Sequence, residues 1–180
     1  MKVCGNPDSG LLVIQAMDAR ELERLEDEIG ALQGMDGALP LWAAFAVEDW
    51  NDALSPWPAP PVFGKHGFAG CAEETLAYLQ NALIPELFAA YHLAAQTKIA
   101  LCGYSLAGLF ALWAGSQSAR FDAVAGVSPS VWFPAYGDYE QAHPIRAGHV
   151  YLSLGDREEQ TKNRAMAAVG NEIRALYARL

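Results

Sequence analysis

The chain has 180 residues, 52% hydrophobic and 18% charged, which is too apolar for a disordered polypeptide and long enough for one domain with a real core. Its 12 Lys and Arg stand against 21 Asp and Glu, a net charge of −9, which argues against nucleic acid as a partner and against attachment to anionic lipid through basic residues. Three cysteines (Cys4, Cys71, Cys102) form no CxxC pair and are odd in number, so neither a disulfide framework nor a structural zinc site is expected, and a reducing compartment is.

The N-terminus, Met1 to Asp8, lacks the apolar stretch of a signal peptide, and the expected location is cytoplasmic. Leu11 to Ala16 reads as a short buried strand. Asp18 is placed to cap the helix that follows, with Glu21 in its first turn. Leu22, Leu25, Ile29 and Leu32 recur at helical spacing, and Gly34 and Gly37 stop the run. Leu41 to Val47 is a second buried strand. From Glu48 to Gly70 the chain is expected to be irregular, because Pro56, Pro58, Pro60 and Pro61 remove ladder donors and helical freedom. A helix is expected from Glu73 to about Tyr91, kinked or split by Pro85.

Residues 99–119 carry no charge and could be mistaken for a membrane span. Gly103, Ser105, Gly108 and Gly115 break the stretch, so it reads better as a strand (Lys98 to Cys102), a tight turn and a buried helix (Leu106 to Ala114). Ala123 to Val127 is a fourth strand, Val150 to Leu154 a fifth, and a helix is expected from Arg157 to the end. Apolar strands alternating with helices indicate an α/β three-layer sandwich whose mainly parallel sheet is covered on both faces. Ligands in such sheets sit at the carboxyl ends of the strands, so the residues that follow each strand are the candidates for chemistry.

Gly103-Tyr104-Ser105-Leu106-Ala107-Gly108 follows the third strand. A serine with small neighbours two residues away, between a strand and an apolar helix, is the sequence form of a nucleophile elbow. The turn lifts the Ser105 hydroxyl above the sheet and aims the Leu106 N–H at a developing oxyanion. The blander reading is a serine that merely caps a helix. Gly155-Asp156-Arg157-Glu158-Glu159 follows the fifth strand. There Asp156 is the expected triad carboxylate in the order Ser…Asp/Glu…His, with Glu158 and Glu159 as lesser candidates and helix capping as the alternative role. For a second oxyanion N–H the loop Glu48 to Asp52 offers Trp50, with Asp49 or Asn51 able to serve equally. Ser128-Pro129-Ser130-Val131-Trp132, after the fourth strand, is placed to line a pocket or simply to close a turn. Trp57, Phe63, Trp132 and Phe133 suggest an aromatic pocket, or packing.

GYSLAGLFALWAG from Gly103, SPSVWFP from Ser128, SLGDREEQTKN from Ser153 and DWNDALSPWPAPPVFG from Asp49 together resemble the α/β-hydrolase fold. More narrowly they resemble the putative esterase family that includes the enterochelin esterase-like and esterase D-like proteins. The resemblance implies a carboxylic ester hydrolase acting on a small-molecule ester, with Ser105 as nucleophile and Asp156 as acid, and with no metal or organic cofactor. It also implies a histidine after one further strand, yet residues 157–180 contain none. His66, His92, His143 and His149 all precede Asp156; His66 and His143 lie in expected loops and are the two that could approach the serine. Residues 1–180 are therefore expected to form one hydrolase-type domain lacking its last strand, histidine and helix. Two consequences follow: a catalytically impaired, binding-only protein as the alternative function, and self-association through an exposed sheet edge.

Overall fold

A computed structural model describes residues 1–32, 39–62 and 64–180. Gly34, Gly37, Phe63 and the side chain of Leu32 lie outside the described residues. Among the described residues six strands form one sheet: β1 (Lys2–Cys4), β2 (Leu11–Met17), β3 (Leu41–Ala46), β4 (Lys98–Tyr104), β5 (Ala123–Val127) and β6 (His149–Ser153). Their spatial order is β1-β3-β2-β4-β5-β6. Every pairing is parallel except β1 with β3. No helix among the described residues is long and apolar enough to cross a membrane.

Helix α1 (Ala19–Leu32) begins as its sequence requires. The Asp18 carboxylate accepts the N–H groups of Arg20 and Glu21 at 2.8 Å, while Glu21 reaches back to the Asp18 N–H at 3.4 Å. That is a reciprocal cap on orphan donors. Leu25 and Ile29 bury against Met17 and Ala44 on one face of the sheet. On the other face lies the main core, built around α5 (Leu106–Gln117), in which every side chain from Leu106 to Ser116 is buried.

The proline-rich segment is not wholly irregular. Asp49 starts one helical turn, α2 (Trp50–Leu54), which ends before Pro56, so the prolines limit the helix without preventing it. The helix expected over 73–91 is split: α3 (Ala72–Tyr78) passes through a π-turn (Leu79–Leu83) into α4 (Ile84–Ala90). The backbone stays helical through Leu83 and Ile84, so Pro85 lies within a continuous helix, and the wider π-turn before it accommodates its ring and missing N–H. After β5 comes α6 (Tyr136–Ala142), too short and polar to stand out in the sequence.

The single final helix expected from Arg157 is also corrected. A 3-10 turn (Glu158–Gln160) precedes α7 (Arg164–Ala167) and α8 (Val169–Arg179). Asn163 interrupts the run: its side-chain oxygen accepts from Ala165 and Met166, and its amide donates to the Val62 carbonyl at 2.8 Å. Arg179 on α8 pairs with Glu140 on α6 at 2.6 Å, and the Glu140 side chain is only 5% exposed.

Two ties fix the start of the central strands. Asp122 accepts from Lys98 Nζ at 2.7 Å and from the Ile99 N–H at 2.9 Å, and the Lys98 hydrogen bond holds its carboxyl below the usual range. At the opposite, carboxyl end of the sheet the strands deliver their loops to a common rim.

Candidate active site

Ser105 stands between β4 and α5 with φ 56° and ψ −118°, a region that residues with a Cβ rarely occupy. The bend brings strand and helix so close that a Cβ on Gly103 would lie 2.3 Å from the Ala107 carbonyl carbon. Only glycine fits there. Three backbone bonds hold the strained residue. Its N–H donates to the Val127 carbonyl at 3.0 Å, and its carbonyl accepts from Leu109 at 3.1 Å and from Ser130 at 3.0 Å. Leu106 is the first helical residue, so its N–H has no intrahelical acceptor and points out of the positive end of a twelve-residue helix.

The hydroxyl opens onto a cavity of about 340 Å³ lined by, among others, Ser128, Ser130, Trp132, Arg157 and Glu158. Ser128 is a second strained serine, with φ 45°, and its N–H donates to the Ser153 carbonyl at 2.9 Å. Its hydroxyl donates to Glu158 Oε1 at 2.5 Å. The same oxygen accepts the Gly155 N–H at 3.1 Å, and a Cβ on Gly155 would lie 2.8 Å from it. Oε2 of Glu158 accepts no hydrogen bond from the described residues. Two strained backbones at one cavity are an observation from which function can be argued, because strain persists where the surroundings enforce it.

The residues singled out in the sequence fall into two groups. Ser105, Leu106, Ser128, Ser130 and Trp132 come together as expected. Asp156 does not join them: it is exposed and does not line the cavity, whereas Glu158, two residues on, turns into it. The 3-10 turn after Asp156 rotates the chain and gives Glu158 the Gly155 and Ser128 donors.

Trp50 begins α2 and packs half-buried against the main core without lining the cavity. The strand beside β4 is β2, not β3. The β2–β4 pairing runs from Leu11 with Lys98 to Gln15 with Cys102, so the loop after β2 leaves the sheet beside the strand that carries Ser105. That loop, beginning at Asp18, is a further candidate beside Trp50, and it was not legible in the sequence because strand order is not written in strand spacing. Of the aromatics, Trp132 lines the cavity, while Trp57 and Phe133 pack on each other with ring centroids 5.8 Å apart.

None of the four histidines lines the cavity. His66 lies 3.6 Å from Asp52 with its side chain 79% exposed, and His143 stacks on Tyr139. His92 lies in the turn after α4 with φ 51°, and His149 opens β6 at the far end of the sheet. The Cys102 thiol, within β4, is pushed up to about 12 by desolvation and is no nucleophile.

Residues 45–175 match the model of the family described as "Putative esterase". The chain belongs to that family. No curated protein sequence matches it. Among solved structures it resembles the siderophore hydrolase EstA from Aspergillus nidulans, at 20% identity and a TM-score of 0.67, covering 97% of this chain and 71% of that one. It also resembles the BES protein from Bacillus cereus, at 18% identity and a TM-score of 0.67, covering 98% and 75%. The enterobactin esterase FES from Shigella flexneri matches at 18% identity and a TM-score of 0.61, covering 99% of this chain and 45% of that one. At these identities the likeness establishes the fold, an α/β hydrolase, and the family membership establishes the broad class, esterase.

Proposed function

We propose that the chain carries the acyl-transfer half of a serine esterase, with Ser105 as nucleophile toward a small-molecule carboxylic ester. The observation that carries this reading is the left-handed Ser105 backbone at the tip of β4, held by three hydrogen bonds beside an open cavity. Attack by Ser105 Oγ on the ester carbonyl would form a tetrahedral intermediate, expel the alcohol and leave an acyl-serine for water to release. The Leu106 N–H at the helix end meets the developing oxyanion, and the loop after β2, the strand next to β4, is the segment we assign a second donor in place of Trp50, which does not line the cavity. Glu158, rather than Asp156, is the carboxylate we assign to orienting a base, since its Oε2 is open and its Oε1 is fixed. A reducing, cytoplasmic setting belongs to the same reading, supported by three free cysteines.

A second reading is a binding protein on a hydrolase fold, and the absence of any histidine from the cavity favours it. Without a base the hydroxyl is a weak nucleophile at neutral pH. The two are separated by fluorophosphonate labelling followed by mass spectrometry, with Ser105→Ala as control and with imidazole added as a free base. Serine chemistry requires labelling at Ser105 that imidazole accelerates and the control lacks. No labelling above the control, with or without imidazole, overturns it and leaves the binding reading.

A further inference from the structure

Ser130 is 2% exposed, and its hydroxyl has one partner among the described residues, the Ser105 Oγ at 3.3 Å. A buried hydroxyl must place its proton on an acceptor. With Ser130 as the donor, Ser105 Oγ is the acceptor, and the proton of Ser105 then points away from Ser130 toward the cavity. The Ser130 N–H meanwhile grips the Ser105 carbonyl at 3.0 Å. One residue therefore holds the nucleophile at two points: the amide fixes where its backbone sits, and the hydroxyl fixes where its oxygen points.

The turn that carries Ser130 is itself held rigidly. A Cβ on Gly126 or Gly108 would lie 3.0 or 3.1 Å from Pro129, so the turn is packed directly on β5 and α5. At its other end Ser128 holds Glu158. Three residues thus tie the nucleophile to the carboxylate across the cavity.

We propose that Ser130 is a positioning residue that sets the rotamer of the Ser105 hydroxyl through its own side chain. This rests on the reading of Ser105 as nucleophile. Ser130→Ala deletes the hydroxyl and keeps the backbone amide, so it isolates the side-chain contact. The probe is a short-chain alkyl fluorophosphonate, with imidazole present, and kinact and KI are measured separately alongside the thermal midpoint. Ser130→Ala is expected to lower kinact about two- to tenfold, the worth of one hydrogen bond, with KI unchanged. Ser130→Cys keeps a donor at the same place, a weaker one on a somewhat larger side chain. Its kinact should fall between those of the parent and the alanine variant, and it decides the matter should Ser130→Ala fail to fold. A purely structural role would lower the thermal midpoint and leave kinact at the parent value, which overturns the proposal while the nucleophile reading stands. A parent chain that labels no faster than Ser105→Ala overturns both.

Discussion

At the residue scale the site is organised by two serines forced into backbone conformations they do not favour. Ser105 at φ 56° and ψ −118° occupies a region glycine adopts readily. Ser105→Gly should therefore relieve strain of ~1–3 kcal/mol, offset by the greater chain freedom of glycine when unfolded. The expected outcome is a stabilisation of roughly 1 kcal/mol in chemical denaturation, together with loss of labelling. A lower denaturation midpoint would show that the elbow is not strained. Ser105 and Leu106 could be read from the sequence because the bend constrains residue types on both sides: Gly103 has no alternative there. The carboxylate could not. Asp156, Glu158 and Glu159 lie within four positions of one another, and which of them turns into the cavity depends on the Gly155 amide and the Ser128 hydroxyl, neither of which periodicity reveals.

At the element scale the strands β2, β3, β4 and β5 were legible because continuous apolar runs have few other uses in a soluble chain. Helix α6 and the break before α8 were not, since α6 is a seven-residue helix without aliphatic side chains larger than alanine and the break depends on Asn163 reaching Val62, a residue 101 positions away. What joins those two helices is the Arg179–Glu140 pair. Removing Arg179 leaves a carboxylate buried without its cation. Arg179→Ala should cost about 2–3 kcal/mol in urea unfolding, below the full value for a buried pair because the arginine is 31% exposed. Glu140→Gln in the same background should recover part of the loss, by removing the stranded charge. Equal stability of Arg179→Ala and the parent would show that α8 is held by its apolar stripe alone.

For the whole molecule, the sheet order decides which loops meet. β2 lies beside β4 although β3 falls between them in the chain, and that crossover puts the loop leading into α1 beside the strand that carries Ser105. At the other side β6 pairs, among the described residues, with β5 only, and Tyr151 on it is 58% exposed. An uncharged strand with unpaired amides is a template for another chain. We propose self-association through this edge, with Tyr151→Lys shifting the population toward monomer in sedimentation velocity, because an edge lysine resists pairing. A parent chain that stays monomeric throughout the accessible concentration range would count against it.

The buried helix α5 has one more consequence. With all sides of residues 106–116 covered, its amides can meet solvent only when the molecule opens as a whole. The helix beneath Ser105 therefore belongs to the slowest-exchanging part of the protein. Evolution can retune the reactivity of Ser105 only from above, through the loops that roof it, because any change beneath it disturbs the entire core.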